Sequence, residues 1–170
     1  LVLINNEVGV NLAKKITSSK NMTLSISGLK SLCVYGTDIP FNFLDKFYLK
    51  WKEDSIVIEK WFELRSILNV EGQGINFIKD LLSHEAFEYK NPNKIRSVLG
   101  TFQRDNALLF HANNSSGYNF ISNQVSLIDK NNPQAAARLV LPLTRFSNYD
   151  EIRKNKMKKA LQDISDQPIS

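Results

Sequence analysis

Apolar residues recur at helical spacing along almost the whole chain, and polar capping residues mark where the runs begin. Asn21-Met22-Thr23 opens a stretch in which Ile26, Leu29, Leu32 and Cys33 share one face. Gly36 and Pro40 punctuate the chain after that face, and 41–51 reads as a second helix, rich in aromatic residues. Asp54 or Ser55 caps a third, carrying Ile58, Trp61, Phe62 and Leu64. Gly72 and Gly74 break the chain before Ile75, Phe77, Ile78, Leu81 and Leu82. Asn91 opens the next helix, 105–110 reads as a short turn, and 113–117 as a polar loop. Tyr118, Phe120, Ile121, Val125 and Ile128 line a further helix, Asn132 opens another, and the last runs from about 148 to 164. Val, Ile and Thr never alternate for long, and no Asn-Gly hairpin signal occurs, so strands are not expected. The pattern predicts an all-α chain of one domain.

Two of these helices echo each other. Asn91-Pro92 and Asn132-Pro133 start segments 41 residues apart, each with an Asn suited to the N-cap and a Pro suited to the first helical position. Counted from each Asn, apolar residues stand at the same offsets: Ile95, Val98, Leu99 and Phe102 in one, Ala136, Leu139, Val140 and Leu143 in the other. Asp54, with Ile58, Trp61 and Phe62, begins a third such segment. A period near 40 residues with paired helices predicts a superhelical stack of antiparallel helix pairs, a HEAT- or armadillo-like α-solenoid fragment.

The helix from Asn132 also carries two polar side chains, Gln134 and Arg138, one turn apart on the same side. A guanidinium offers a bidentate fork to a carboxylate or carbonyl, and an amide bonds peptide backbone. The same pair would serve equally to tie down a neighbouring helix. Other chemistry is sparse. His84 begins His-Glu-Ala-Phe-Glu, in which Glu88 stands where a zinc-protease motif needs its second histidine. The expectation is that His84 caps its helix while Phe87 packs inward. His111 is expected to bond a neighbouring helix end, and Cys33 to pack as a small hydrophobe. There is no glycine loop of the phosphate- or dinucleotide-binding kind.

Composition narrows the remaining classes. A chain of 170 residues, 42% of them hydrophobic, is long enough to bury a sizeable core. No apolar run reaches the ~20 residues of a membrane span. The net charge of +5 is densest at Arg153, Lys154, Lys156, Lys158 and Lys159, which interleave with an apolar stripe of Ile152, Met157, Ala160 and Leu161. That spacing puts the basic residues on a solvated face, and no aromatic residues lie among them for base stacking, which argues against nucleic acid as a partner. The absence of an initiator Met suggests a piece of a longer polypeptide, and the single cysteine an intracellular, cytoplasmic source.

Asn-Pro-Asn-Lys-Ile-Arg-Ser-Val-Leu-Gly-Thr-Phe at 91–102, Phe-His-Ala at 110–112, Ser-Gly-Tyr at 116–118 and Asn-Pro-Gln-Ala-Ala-Ala-Arg-Leu at 132–139 occur in this order. With Lys60-Trp61-Phe62 and Tyr149-Asp150 they resemble the C-terminal domain of bacterial aminopeptidase N, the zinc-dependent alanyl aminopeptidases of gluzincin type. The resemblance implies that residues 1–170 are one C-terminal domain of a larger metallo-aminopeptidase, without its N-terminal part and its last helix. In such enzymes a separate catalytic domain carries zinc on His-Glu-x-x-His and a Gly-x-Met-Glu-Asn loop. Neither motif is in this chain, which implies a silent domain that caps the active-site chamber, gates access and meets the peptide. Its implied partners are the catalytic domain of the same polypeptide and the peptide substrate, with Gln134 and Arg138 as the substrate-binding residues. The loop before Ser-Gly-Tyr is commonly acidic in relatives but is Asn113-Asn114-Ser115 here. Without the resemblance, the pattern equally fits a free-standing solenoid scaffold that binds a protein or peptide.

Overall fold

A computed structural model describes residues 7–35 and 39–167. Among these residues eleven α-helices succeed one another without a strand. They are α1 (Glu7–Thr17), α2 (Met22–Tyr35), α3 (Ile39–Trp51), α4 (Ser55–Ser66), α5 (Ile75–Leu82), α6 (Pro92–Ile95), α7 (Thr101–Asp105), α8 (Ala107–Phe110), α9 (Ser116–Asp129), α10 (Pro133–Thr144) and α11 (Glu151–Ser165). A π-helical turn, Arg96–Gly100, joins α6 to α7, so that 92–105 forms one continuous rod.

The three echoing segments start alike because their caps do the same work. The Asp54 carboxylate accepts from the N–H groups of Ile56 and Val57, the Asn91 side chain from those of Asn93 and Lys94, and Asn132 from that of Ala135. Each bond satisfies a donor that the first turn leaves without a helical partner. The predicted apolar offsets are all turned inward: Ile58, Trp61, Phe62, Ile95, Val98, Leu99, Phe102, Ala136, Leu139 and Leu143 are buried, and Val140 is half-buried. At ~1.5–3 kcal/mol for each large side chain buried, stacking of the rungs outweighs the helix propensity of any one of them.

One core runs continuously from α2 to α11, with a small satellite cluster of Val10, Ala13 and Leu32 where α1 lies on α2. α9 and α10 pack against each other, and α11 packs on both. Cys33 is sunk in the core, and burial pushes its thiol up to about 12, so it behaves as a hydrophobe. Gly117 brings α9 hard against the backbone of α8: a Cβ there would stand 2.4 Å from the Phe110 carbonyl oxygen. Asn106, 4% exposed, donates its amide to the carbonyls of Ser66 and Leu68 (3.0 Å each) and accepts from the Leu109 N–H, latching the end of α4 to the joint between α7 and α8.

Several boundaries differ from the reading of the sequence. α1 had no predicted counterpart; its buried residues Val10 and Ala13 alternate with the exposed Val8 and Leu12, which blurs the stripe. Pro40 stands in the first turn of α3 rather than outside it, where its missing N–H costs nothing. The stretch 105–110 is not a plain turn but a break at Asn106 followed by the one-turn α8. The last helix begins at Glu151 with Asp150 as its cap, because Asn148 belongs to a 3₁₀ turn, Phe146–Asn148. Ile152 is 65% exposed and leaves the stripe to Met157, Ala160 and Ile164. Gly36 lies outside the described residues.

Candidate functional site

The rod 92–105 and α10 stand side by side and enclose a cleft of about 390 Å³. Gln134 and Arg138 both line it, one turn apart on the exposed side of α10. Two irregularities shape its walls. Across the π-turn the Thr101 N–H reaches back five residues to the Arg96 carbonyl, and both Arg96 and Gly100 line the opening. Opposite them, Pro142 interrupts the hydrogen-bond ladder of α10. The buried Gln103 amide donates to the Leu139 carbonyl at 2.8 Å and pins the two walls together at the cleft floor.

The cleft is cationic. Four arginines line it, Arg96, Arg104, Arg138 and Arg145, and no Asp or Glu does. Arg104 is engaged: its guanidinium donates to both carboxylate oxygens of Asp105, at 3.0 and 2.8 Å, which raises its pKa further. Arg96, Arg138 and Arg145 form no ion pair or side-chain hydrogen bond with any described residue, and neither does the Gln134 amide. Neither predicted residue therefore braces a neighbouring helix through a polar bond. Planar donors without acceptors, crowded on one concave surface, suit carboxylates or main-chain carbonyls. Reading the sequence missed Arg96, Arg145 and Gln103. Arg96 was visible in the echo, five residues after Asn91, but a regular helix gave no reason to turn it toward α10.

The histidines lie elsewhere. His84 follows α5 and sits among the rings of Tyr48, Trp61 and Phe62, its Nδ1 accepting the Ala86 N–H, while Phe87 packs inward as expected. His111 meets the first turn of the neighbouring α9, through a side chain rather than the backbone. It shares a 2.7 Å hydrogen bond with the Tyr118 hydroxyl and packs on the Tyr149 ring. Burial lowers the pKa of both imidazoles; Arg153 adds to the effect at His111, while at His84 Glu85 opposes it and Arg65 adds to it. Each therefore holds its proton less well folded than unfolded. As pH falls below about 6.5 the unfolded chain takes up protons that the folded chain refuses, so this contribution is complete above that pH and lost beneath it. The urea midpoint is expected to drop from pH 7 to pH 5, and the drop to shrink in the His84→Gln, His111→Gln double variant. An equal drop in both proteins rejects the assignment.

Among the described residues no group of three or more His, Cys, Asp and Glu side chains is placed to hold a metal ion, and no helix is long and apolar enough to cross a membrane. The basic residues of α11 are largely occupied locally: Arg153 with Asp150, Lys154 with Glu151, Lys156 with the Asn113 carbonyl, and Lys158 over the Phe146 ring.

Known proteins share the sequence family and the fold. A family model described as a domain of unknown function (DUF3458_C) with ARM repeats matches residues 1–170. The chain is 35% identical over 159 residues to aminopeptidase N of Haemophilus influenzae, covering 93% of this chain and 18% of that protein. To aminopeptidase N of Escherichia coli it is 32% identical over 155 residues, again 18% of the relative's length and 91% of its own. Its fold superposes on the crystal structure of Legionella pneumophila aminopeptidase A in complex with aspartic acid with a TM-score of 0.82, at 30% identity, over 91% of this chain and 18% of that one. The all-α stack, its three capped rungs and these matches identify the chain as a member of the DUF3458_C ARM-repeat family, homologous to the C-terminal region of aminopeptidase N.

Proposed function

We propose that residues 1–170 form one non-catalytic domain of a larger, cytoplasmic zinc aminopeptidase that releases N-terminal residues from peptides. The domain caps the active-site chamber, gates entry and contacts the peptide through Gln134 and Arg138. Zinc belongs to the catalytic domain of the same polypeptide, which is this domain's partner together with the substrate. The observation that carries the reading is the cleft: unpaired guanidiniums and an amide on one concave wall, in a chain whose relatives are aminopeptidases.

Arg138→Ala in the full-length enzyme tests it. Loss of a hydrogen bond from a charged donor weakens kcat/KM for oligopeptides by about 1–3 kcal/mol. Kinetics unchanged across short and long peptides would reject peptide contact at Arg138. The isolated chain, which has neither catalytic motif, is expected to hydrolyse no alanyl anilide, with or without added zinc.

A further inference from the structure

Pro142 deprives the main-chain hydrogen-bond ladder of α10 of one donor. An α-helical carbonyl at position i is closed by the N–H at i+4, and Pro142 has none to give to Arg138. The ring also pushes that carbonyl off the helix axis. The next carbonyl, Leu139, already accepts from outside the helix, through the Gln103 amide. No described side chain performs that service for the carbonyl of Arg138. Residues 138 and 142 lie one turn apart on one face of α10, and both line the cleft, so the turn that Pro142 interrupts forms part of its wall.

The other charged groups around it can only donate, since guanidiniums have no acceptor. A ligand made of carboxylates alone would satisfy the arginines and leave the carbonyl unmet. An extended peptide alternates C=O and N–H along its length and meets both. Building on the reading of the cleft as a peptide site, we propose that the Arg138 main-chain carbonyl, released by Pro142, accepts a backbone N–H of the bound peptide. Pro142 is then a positioning residue for substrate rather than a tolerated flaw in a helix.

The full-length enzyme is assayed with alanyl peptides in which one backbone amide at a time is replaced by an ester. The ester deletes the N–H without adding bulk. In the wild-type enzyme one position beyond the scissile bond is expected to cost about 3–10-fold in kcat/KM, the scale of one net hydrogen bond. Pro142→Ala restores a main-chain N–H at that position, which occupies the carbonyl. The ester penalty then shrinks to within about twofold, as for a contact removed from both sides of a mutant cycle. Gln103→Met disturbs the same part of α10 without supplying that N–H and keeps the penalty. The inference is overturned if no ester position is sensitive, if Pro142→Ala keeps the full penalty, or if Gln103→Met abolishes it too. Should Arg138→Ala impair peptide turnover while every ester is harmless, this inference fails alone. Silence in both experiments removes the peptide site itself.

Discussion

Gly117→Ala is expected to lower the melting temperature by roughly 6–12 °C, the shift that a loss of about 3 kcal/mol produces in a domain of this size. The sign is the informative part. In an exposed helix interior the same exchange stabilises by up to about 1 kcal/mol, because alanine is the better helix former. Here the new methyl would stand 2.4 Å from the Phe110 carbonyl oxygen, 2.7 Å from the Phe110 Cα and 2.8 Å from the Leu109 carbonyl oxygen. All three are backbone atoms, so no side chain can swing aside, and α9 must withdraw from α8. Withdrawal pulls Tyr118, fully buried, away from the edge-to-face contact with Phe110 at 5.2 Å and from its bond to His111. A melting temperature within about 2 °C of the parent's would show that the gap between the two helices is elastic after all.

Asn106→Ala is expected to cost about 4 kcal/mol, read as a lower denaturant midpoint at unchanged slope. The side chain makes three bonds at once, two to carbonyls at the end of α4 and one to the N–H of Leu109. Removing it strands the Ser66 and Leu68 carbonyls at ~1–3 kcal/mol each and deletes the cap of α8, worth another ~1 kcal/mol. Ser66 and Leu68 are themselves 0% and 2% exposed, although a surface cavity reaches the Asn106 side chain. Asn106→Asp separates shape from hydrogen bonding: it keeps the cap but aims a carboxylate at two carbonyls, and should be no better than alanine. A loss below about 1 kcal/mol for Asn106→Ala would mean that solvent reaches this joint.

The stacked rungs could be read from the sequence because their signal is local and redundant. Asp54, Asn91 and Asn132 announce helix starts by their own chemistry, and apolar residues at repeated offsets beyond them mark the inner face. α1 escaped because its stripe is interrupted and two of its apolar residues, Val8 and Leu12, face outward. The candidate site was half legible. Gln134 and Arg138 share a face at regular helical spacing, so periodicity alone pairs them. Arg96 and Arg145 join them only because one wall holds a π-turn and the other ends beside a proline, irregularities that obey no period. The partner of His111 was missed for a related reason: the Tyr118 hydroxyl is seven residues away, across a loop whose path no propensity rule predicts.

The Gln103–Leu139 hydrogen bond has a mechanical meaning. A solenoid's curvature accumulates from small rotations between successive repeats. The cleft lies in the joint between two such repeats, so its width and the curvature of the stack are one and the same coordinate. At 2.8 Å, the buried bond from the rod to α10 spans that joint and, with the apolar core around it, resists its opening. A ligand that wedges the cleft open therefore has to stretch this bond and rotate one repeat against the next.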